Sequence, residues 1–283
     1  MIPARPRRSL LYMPASNVRA IDKARSLACD VVILDLEDAV APDAKEEARQ
    51  NALAALGAGG FGSREVVVRI NGLDTPWGSD DLAAISVAAP EAILVPKISS
   101  PSDLASYAAR LAPATRLWAM VETCRGLLNL DAIAGSGAPL EVLVVGSNDL
   151  AKEMHCRPGI ERTPLQSALS QTVIAARAHG LAVVDGVFND IADSDGLERQ
   201  CRQGLDFGFD GKTLIHPGQI EAANRIFAPD PAEVAWARQI VAAFDLPENA
   251  AKGVLKLEGR MVERLHLEEG LRLIAVAEAI AAR

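Results

Sequence analysis

The chain has 283 residues, 49% of them hydrophobic, a size that suits one large domain or one domain with an appendage. Its formal net charge of −8 argues against general nucleic-acid binding, though not against an anionic small molecule, since local charges decide that. No apolar run reaches the roughly 18–20 residues of a membrane span.

Cysteines 29, 124, 156 and 201 show no CxxC spacing or close pairing, so neither a zinc site nor a disulfide framework is indicated and reduced thiols in a cytoplasmic setting are expected. The N-terminal stretch MIPARPRRSLLYMPA puts arginines before a short apolar run ended by Pro14, which reads as a first strand rather than a signal peptide.

In chain order, apolar strand-like runs fall at SLLYM (9–13), VVILDL (31–36), EVVVRI (65–70), AILVPK (92–97), LWAMVE (117–122), EVLVVG (141–146), LAVVDG (181–186) and FDGKTLI (209–215). Helical stretches separate them, among them NVRAIDKARSLA, PDAKEEARQNALAALG, SPSDLASYAARLA, TPLQSALSQTVIAARAHG and DIADSDGLERQCRQG. Asn17 and Ser102 suit N-caps, and Gly180 suits the end of a helix. Eight strand–helix units predict an α/β fold, a (β/α)8 TIM barrel over 1–228, with a doubly wound open sheet as the other arrangement such runs allow. Residues 229–283 then form a C-terminal helical extension serving as a lid or oligomerisation arm. Within it LPENAAKG reads as a hinge, and VLKLEGR as a short strand or turn before a last amphipathic helix.

The ends of these runs carry charge. Val32, Leu34 and Leu36 form one face of the second strand, while Asp35 and Glu37 share the other and point toward the axis near the barrel mouth. By the same alternation Val67, Arg69 and Asn71 face inward from the third strand. Lys97, Glu122, Asp149, Asp185, Lys212 and His216 follow at the ends of later strands. Strands that stop where water begins explain single instances, but explain poorly why Arg69 and Glu122 interrupt apolar runs. Glu122 and Asp149 suit a hard cation such as Mg²⁺, with further positions left for water or substrate oxygens. An arginine beside it suits an oxyanion, and together these parts stabilise an enolate or bind a 2-oxo acid.

Other features read as structural. GAGGFG (57–62) matches a dinucleotide-binding spacing but follows a helix and precedes a strand, the reverse of the required context. His155 and His179 read as surface or cap residues, DAKEEARQ as a solvated helix face, and Cys124 as packing; Trp77 either lines the mouth or packs beside it.

The segments RRSLLYMPASN, ILDLEDAV, VVVRINGLDTPWGSDDL, LVPKISS, MVETCRGLLN, LVVGSNDLA, VDGVFNDIAD and FDGKTLIHPGQI, in this order over about residues 7–225, resemble the citrate lyase β-subunit-like family of Mg²⁺-dependent 2-oxo-acid aldolases. Malyl-CoA, citramalyl-CoA and citryl-CoA lyases are included in that family. The resemblance implies Glu122 and Asp149 as Mg²⁺ ligands and Arg69 as the group that stabilises the enolate oxygen. Tyr12, Asn17, Arg19, Lys23, Lys97, Ile215 and His216 are implied as substrate or CoA contacts, with Glu122 and Arg69 also touching substrate. Asp35, Glu37 and Asp38 correspond to an acidic cluster beside the metal's waters, and Glu37 and Asp38 join Arg69 as candidate catalytic residues.

The tail LEGRMVERLHLEEG resembles a lid closer to xDGKMVDxP, whose second aspartate is a general acid/base acting at a neighbouring subunit's site. Glu263 stands there, one methylene longer. The implied reaction is cleavage of a 3-hydroxyacyl-CoA to an acyl-CoA and a 2-oxo acid. Thioester hydrolysis or condensation at the same site, or a non-catalytic CoA-ester-binding subunit, are the alternatives. A homotrimer or hexamer is the implied assembly, with no nucleic-acid or membrane partner.

Overall fold

The structure, a computed structural model, describes residues 5–249 and 251–283. Residues 1–4 at the start of the N-terminal stretch and residue 250 inside LPENAAKG lie outside the described residues. Two compact units result: Arg7–Phe227, and Ala228–Arg283 with Arg5 and Pro6.

In the first unit eight parallel strands close on themselves in sequence order: β1 (Ser9–Pro14), β2 (Val31–Asp35), β3 (Glu65–Arg69), β4 (Ala92–Val95), β5 (Arg116–Val121), β6 (Leu140–Val145), β7 (Ala182–Asp185) and β8 (Gly211–Leu214), with β8 bonded back to β1. Closure settles the fold as a (β/α)8 TIM barrel and removes the open-sheet alternative. The surrounding helices are α1 (Val18–Ala24), α2 (Lys45–Ala58), α3 (Gly78–Ala88), α4 (Pro101–Ala108), α5 (Cys124–Leu128), α6 (Leu130–Ala134), α7 (Ser147–Glu153), α8 (Gln166–Ala178), α9 (Ser194–Phe207) and α10 (Ile220–Ile226).

Strand alternation separates two cores. Val32, Leu34, Val68 and Leu143 pack outward against the helices, whereas Leu10, Ile33, Val67, Leu94, Trp118, Met120 and Val144 fill the barrel. At the N-terminal end Arg7 closes the interior, pairing with Glu65 at 2.7 Å and Glu141 at 2.7 Å while its guanidinium sits 5.0 Å from the Trp118 ring centroid. Trp118 is fully buried, so Trp118→Ala would empty the middle of the barrel. A loss of about 3–5 kcal/mol is expected in urea unfolding.

Local signals held in part. The Asn17 side chain caps α1 by accepting from the Ala20 N–H. The cap of α4 is Ser100, not Ser102, because Ser100 and Asp103 form a reciprocal capping box and Pro101 then opens the helix. Gly180 follows α8 with φ 68°, and Gly59, Gly60 and Gly62 take positive φ in the loop before β3, as an αβ connection requires. His179 caps α8, bonded to Asp131 at 2.8 Å. All four cysteines are free.

The second unit holds α11 (Pro231–Asp245), a hairpin of β9 (Val254–Leu257) and β10 (Arg260–Glu263), and α12 (Arg264–Ala281). Ile240, Phe244, Leu255 and Val262 form its core, and Arg260 and Arg264 lie over Trp236 and Phe244. Among the described residues no helix is long and apolar enough to cross a membrane.

Candidate active site

The C-terminal ends of β2 and β3 build the centre of the mouth. Their register sets Asp35 directly opposite Arg69, on the inward face shared with Ile33 and Val67. The two meet as a fork: Arg69 Nε donates to Asp35 Oδ1 at 2.7 Å and Nη2 to Oδ2 at 2.6 Å. Asp35 also accepts the backbone N–H of Glu37 and of Ala39, so its oxygens are fully used in orienting the guanidinium. The remaining Nη1 faces Glu37 at 2.8 Å and Asp38 at 3.6 Å, and Arg69 stands over the Tyr12 ring at 4.7 Å. Burial pushes the Glu37 carboxyl above the usual range, with Asp38 and Asp35 adding to it against Arg69 and Lys97. Burial likewise pushes the Tyr12 phenol up.

Glu122 lies one residue past β5 on the inward side. Its Oε1 accepts the Lys97 backbone N–H at 2.8 Å, and its Oε2 is buried with no hydrogen-bond partner among the described residues. Burial first, then the charges of Glu37 and Asp149, push its pKa up to about 8. Asp149, half-buried in the first turn of α7, is therefore within electrostatic reach of Glu122, and of Lys97 as well. The Lys97 side chain is half-exposed with Nζ 3.5 Å from Glu37. Partial burial opposes its charge, but Glu37 and Asp38 outweigh that and raise its pKa.

Asp35, Glu37, Asp38, Glu122 and Asp149 thus face two mouth cations, Arg69 and Lys97. Excess negative charge, a buried carboxylate oxygen without a donor and two carboxylates from adjacent strands fit a hard cation with oxygen ligands. No set of three or more His, Cys, Asp or Glu side chains forms a metal cage among the described residues, so such a cation would take its other ligands from water or substrate.

Several expected contacts are placed but not joined to this cluster. Asn17, Arg19 and Lys23 are exposed around α1, while Ile215 and His216 are exposed after β8, His216 accepting the Gly218 N–H. Glu263 belongs to the second unit, where it precedes α12 and its N–H donates to His266 Nδ1.

Two expectations are corrected. Asp185 and Lys212 do not belong to the mouth: Val184 is the inward residue of β7 and Leu214 an outward residue of β8, so both charges point to the helix layer. There Lys212 Nζ meets Asp185 at 2.7 Å and Arg162 meets it at 2.5 Å, while Gly204 of α9 packs on the carboxylate. Burial alone would raise Asp185, but Lys212 and Arg162 hold it below the usual carboxylate range.

The DAKEEARQ run is not wholly solvated either. Lys45 is buried and donates to the carbonyls of Leu36 and Glu37 and to Asn71 Oδ1, tying down the acidic loop. Asn71 is held in turn by Asp81. A lysine on a helix that reads as solvated gave no sequence signal for this.

Gly146 was also missed, although it ends EVLVVG. A Cβ there would lie 2.3 Å from Glu122 Oε2. Gly146→Ala is expected to displace Glu122 and lower kcat/KM about a hundredfold, on the scale of an ångström misplacement, with circular dichroism unchanged.

Comparison with known proteins agrees with the barrel fold and shows the family. The family model described as HpcH/HpaI aldolase/citrate lyase matches residues 8–217. The chain is 49% identical over 279 residues to a (3S)-malyl-CoA thioesterase of Cereibacter sphaeroides, covering 99% of this chain and 97% of that protein. It is 32% identical over 309 residues to an L-malyl-CoA/beta-methylmalyl-CoA lyase of the same species, at 99% and 97% coverage. The crystal structure of CitE from Mycobacterium tuberculosis in complex with magnesium, acetoacetate and coenzyme A superposes with a TM-score of 0.79 at 30% identity, covering 98% of this chain and 100% of that one.

Proposed function

Because the chain belongs to the HpcH/HpaI aldolase/citrate lyase family, we propose that it is a Mg²⁺-dependent enzyme acting on a malyl-type 3-hydroxyacyl-CoA, and that it hydrolyses the thioester. The observation that carries the site assignment is the buried, donorless Oε2 of Glu122 beside the Arg69–Asp35 fork in a mouth rich in carboxylates. Hydrolysis is favoured by the 49% identity to a thioesterase, against 32% to a lyase. The lid-like tail also carries Glu263 where the lyase pattern has aspartate.

Glu122 and Asp149 would hold the Mg²⁺, which supplies a Lewis acid for substrate oxygens and offsets the negative mouth. Arg69, fixed in plane by Asp35 with Nη1 beside Glu37, would stabilise the charge that develops on the thioester oxygen. Glu37, raised by burial, takes a proton from the attacking water as its oxygen bonds the carbonyl carbon. The C–S bond then breaks, and the departing sulfur receives that proton, giving free hydroxy acid and coenzyme A. Tyr12, Arg19, Lys23, Ile215 and His216 are proposed to contact the thioester and the CoA moiety.

The second reading is reversible carbon–carbon cleavage, favoured by the family's lyases, with Glu263 as the proton-transfer group. Malyl-CoA incubated with enzyme and Mg²⁺ separates the two. Hydrolysis releases malate and CoA thiol in equal amounts with no glyoxylate; glyoxylate appearing with acetyl-CoA would establish cleavage. Binding without turnover would instead identify a CoA-ester-binding subunit. The trimer or hexamer expected from the resemblance is tested by light scattering of the full chain.

Metal binding must expel the proton that Glu122 holds below about pH 8. The apparent Mg²⁺ affinity, measured by titration calorimetry, is therefore expected to rise by up to about tenfold per pH unit toward pH 8 and to flatten above it. Chelation with EDTA is expected to abolish turnover reversibly.

A further inference from the structure

A second cavity, of about 340 Å³, opens behind the rim between β6 and β7, and none of Arg69, Glu37, Lys97 or Glu122 lines it. Arg162 and Gln200 line it from the helix layer, and Asn148 and Asn189 from the rim, their side-chain amides bonded to each other at 2.8 and 3.2 Å. Arg162 is 2% exposed. Its Nε donates to Gln203 Oε1 and its Nη1 to Asp185, but its Nη2 is buried with no hydrogen-bond partner among the described residues. Its backbone is left-handed, φ 49°, a conformation that non-glycine residues keep where the surroundings dictate it.

Charge is unbalanced in this layer. Arg162 and Lys212 share the single carboxylate Asp185, all three buried, and the other polar groups touching them, Gln200 and Gln203, are neutral. A buried cation whose donor lacks an acceptor is expensive to maintain. An adjoining cavity with room for several heavy atoms, where one water occupies about 30 Å³, offers the place for the missing acceptor.

We propose that this cavity binds a small organic monocarboxylate, accepted by the Nη2 end of Arg162. Arg162 and Lys212 outnumber Asp185 in the layer behind the cavity, which favours an anionic acceptor at Nη2. At the rim Asp190 is exposed and Asp193 half-buried, and both oppose anions, the more highly charged ones most. Ser147 and the side-chain amides of Asn148, Asn189 and Gln200 also line the wall, groups whose type suits carboxylate or carbonyl oxygens. This site is separate from the catalytic mouth, and its occupancy is read without turnover.

The test is equilibrium binding of sodium acetate to the full chain, with EDTA present and no CoA ester, against sodium chloride at equal ionic strength. Calorimetry is expected to show one saturable site in the wild type. Arg162→Met removes the surplus charge while leaving Asp185 paired with Lys212, and is expected to weaken acetate at least about tenfold, the scale of a lost charge-assisted hydrogen bond. Gln200→Glu supplies a carboxylate from within the protein and is expected to abolish binding, which keeps the test open should the Arg162 variant not fold. Arg69→Lys is expected to bind acetate as the wild type does. Absence of saturable binding, loss in Arg69→Lys with retention in Arg162→Met, or inorganic phosphate binding more tightly than acetate would each overturn the assignment.

Discussion

Glu122→Gln is expected to lower Mg²⁺-dependent kcat/KM by on the order of a thousandfold, equivalent to about 4 kcal/mol at the transition state, without destabilising the fold. The substitution is nearly isosteric and mimics the protonated carboxyl, which predominates below about pH 8 when no metal is bound. The folded state therefore carries a proton between the ordinary carboxyl value of 4.5 and about 8 that the unfolded chain has already lost. Stability of the metal-free wild type must fall as pH rises through that window, because the native state binds more protons than the unfolded state.

Glu122→Gln removes that dependence. In EDTA its stability relative to the wild type should grow from about pH 5 and level off above pH 8, followed by urea unfolding across the pH series. Asp149→Asn, at a half-buried position in the first turn of α7, should share the loss of turnover. Undiminished turnover in both variants would remove the metal assignment.

Why some of this was legible in the sequence and some was not follows from which periodicity each residue obeys. Asp35, Arg69 and Glu122 sit on strands or one residue beyond them, and two-residue alternation places them on the inward face without knowledge of the helices. The barrel was readable for the same reason, eight apolar runs being separated by helical stretches. Asp185 and Lys212 depart from the expectation because a charge near a strand end faces the mouth only when its parity is inward, and Val184 and Leu214 set theirs outward.

Lys45 and Gly146 escaped because their roles depend on approaches between distant segments. One meets the carbonyls of Leu36 and Glu37 from a helix, and the other leaves room for a carboxylate from the neighbouring strand. The charge at Arg162 is a further case, since loop residues 154–165 carry no period that would aim it at β7.

Arg69→Lys and Arg69→Met, taken together, separate the charge of this residue from its shape. Lysine keeps the positive charge but cannot hold Asp35 through two parallel donors, and its ammonium is not confined to a plane. It is expected to lower kcat by roughly a hundred- to a thousandfold, the range seen when one preorganised donor to a developing oxyanion is removed. Substrate affinity should change little, because the stabilisation matters mainly at the transition state.

Methionine removes the charge altogether, leaving Asp35 fully buried with only the Glu37 and Ala39 backbone donors. Breaking a buried pair from one side costs about 3–5 kcal/mol, so Arg69→Met should lose stability in urea as well as turnover. Asp35→Asn in the Arg69→Met background should recover part of the stability by removing the stranded charge, and none of the activity. Recovery of both would mean that Arg69 serves only to neutralise Asp35. Recovery of stability alone would place the guanidinium at the reacting oxygen, with Asp35 as the residue that aims it.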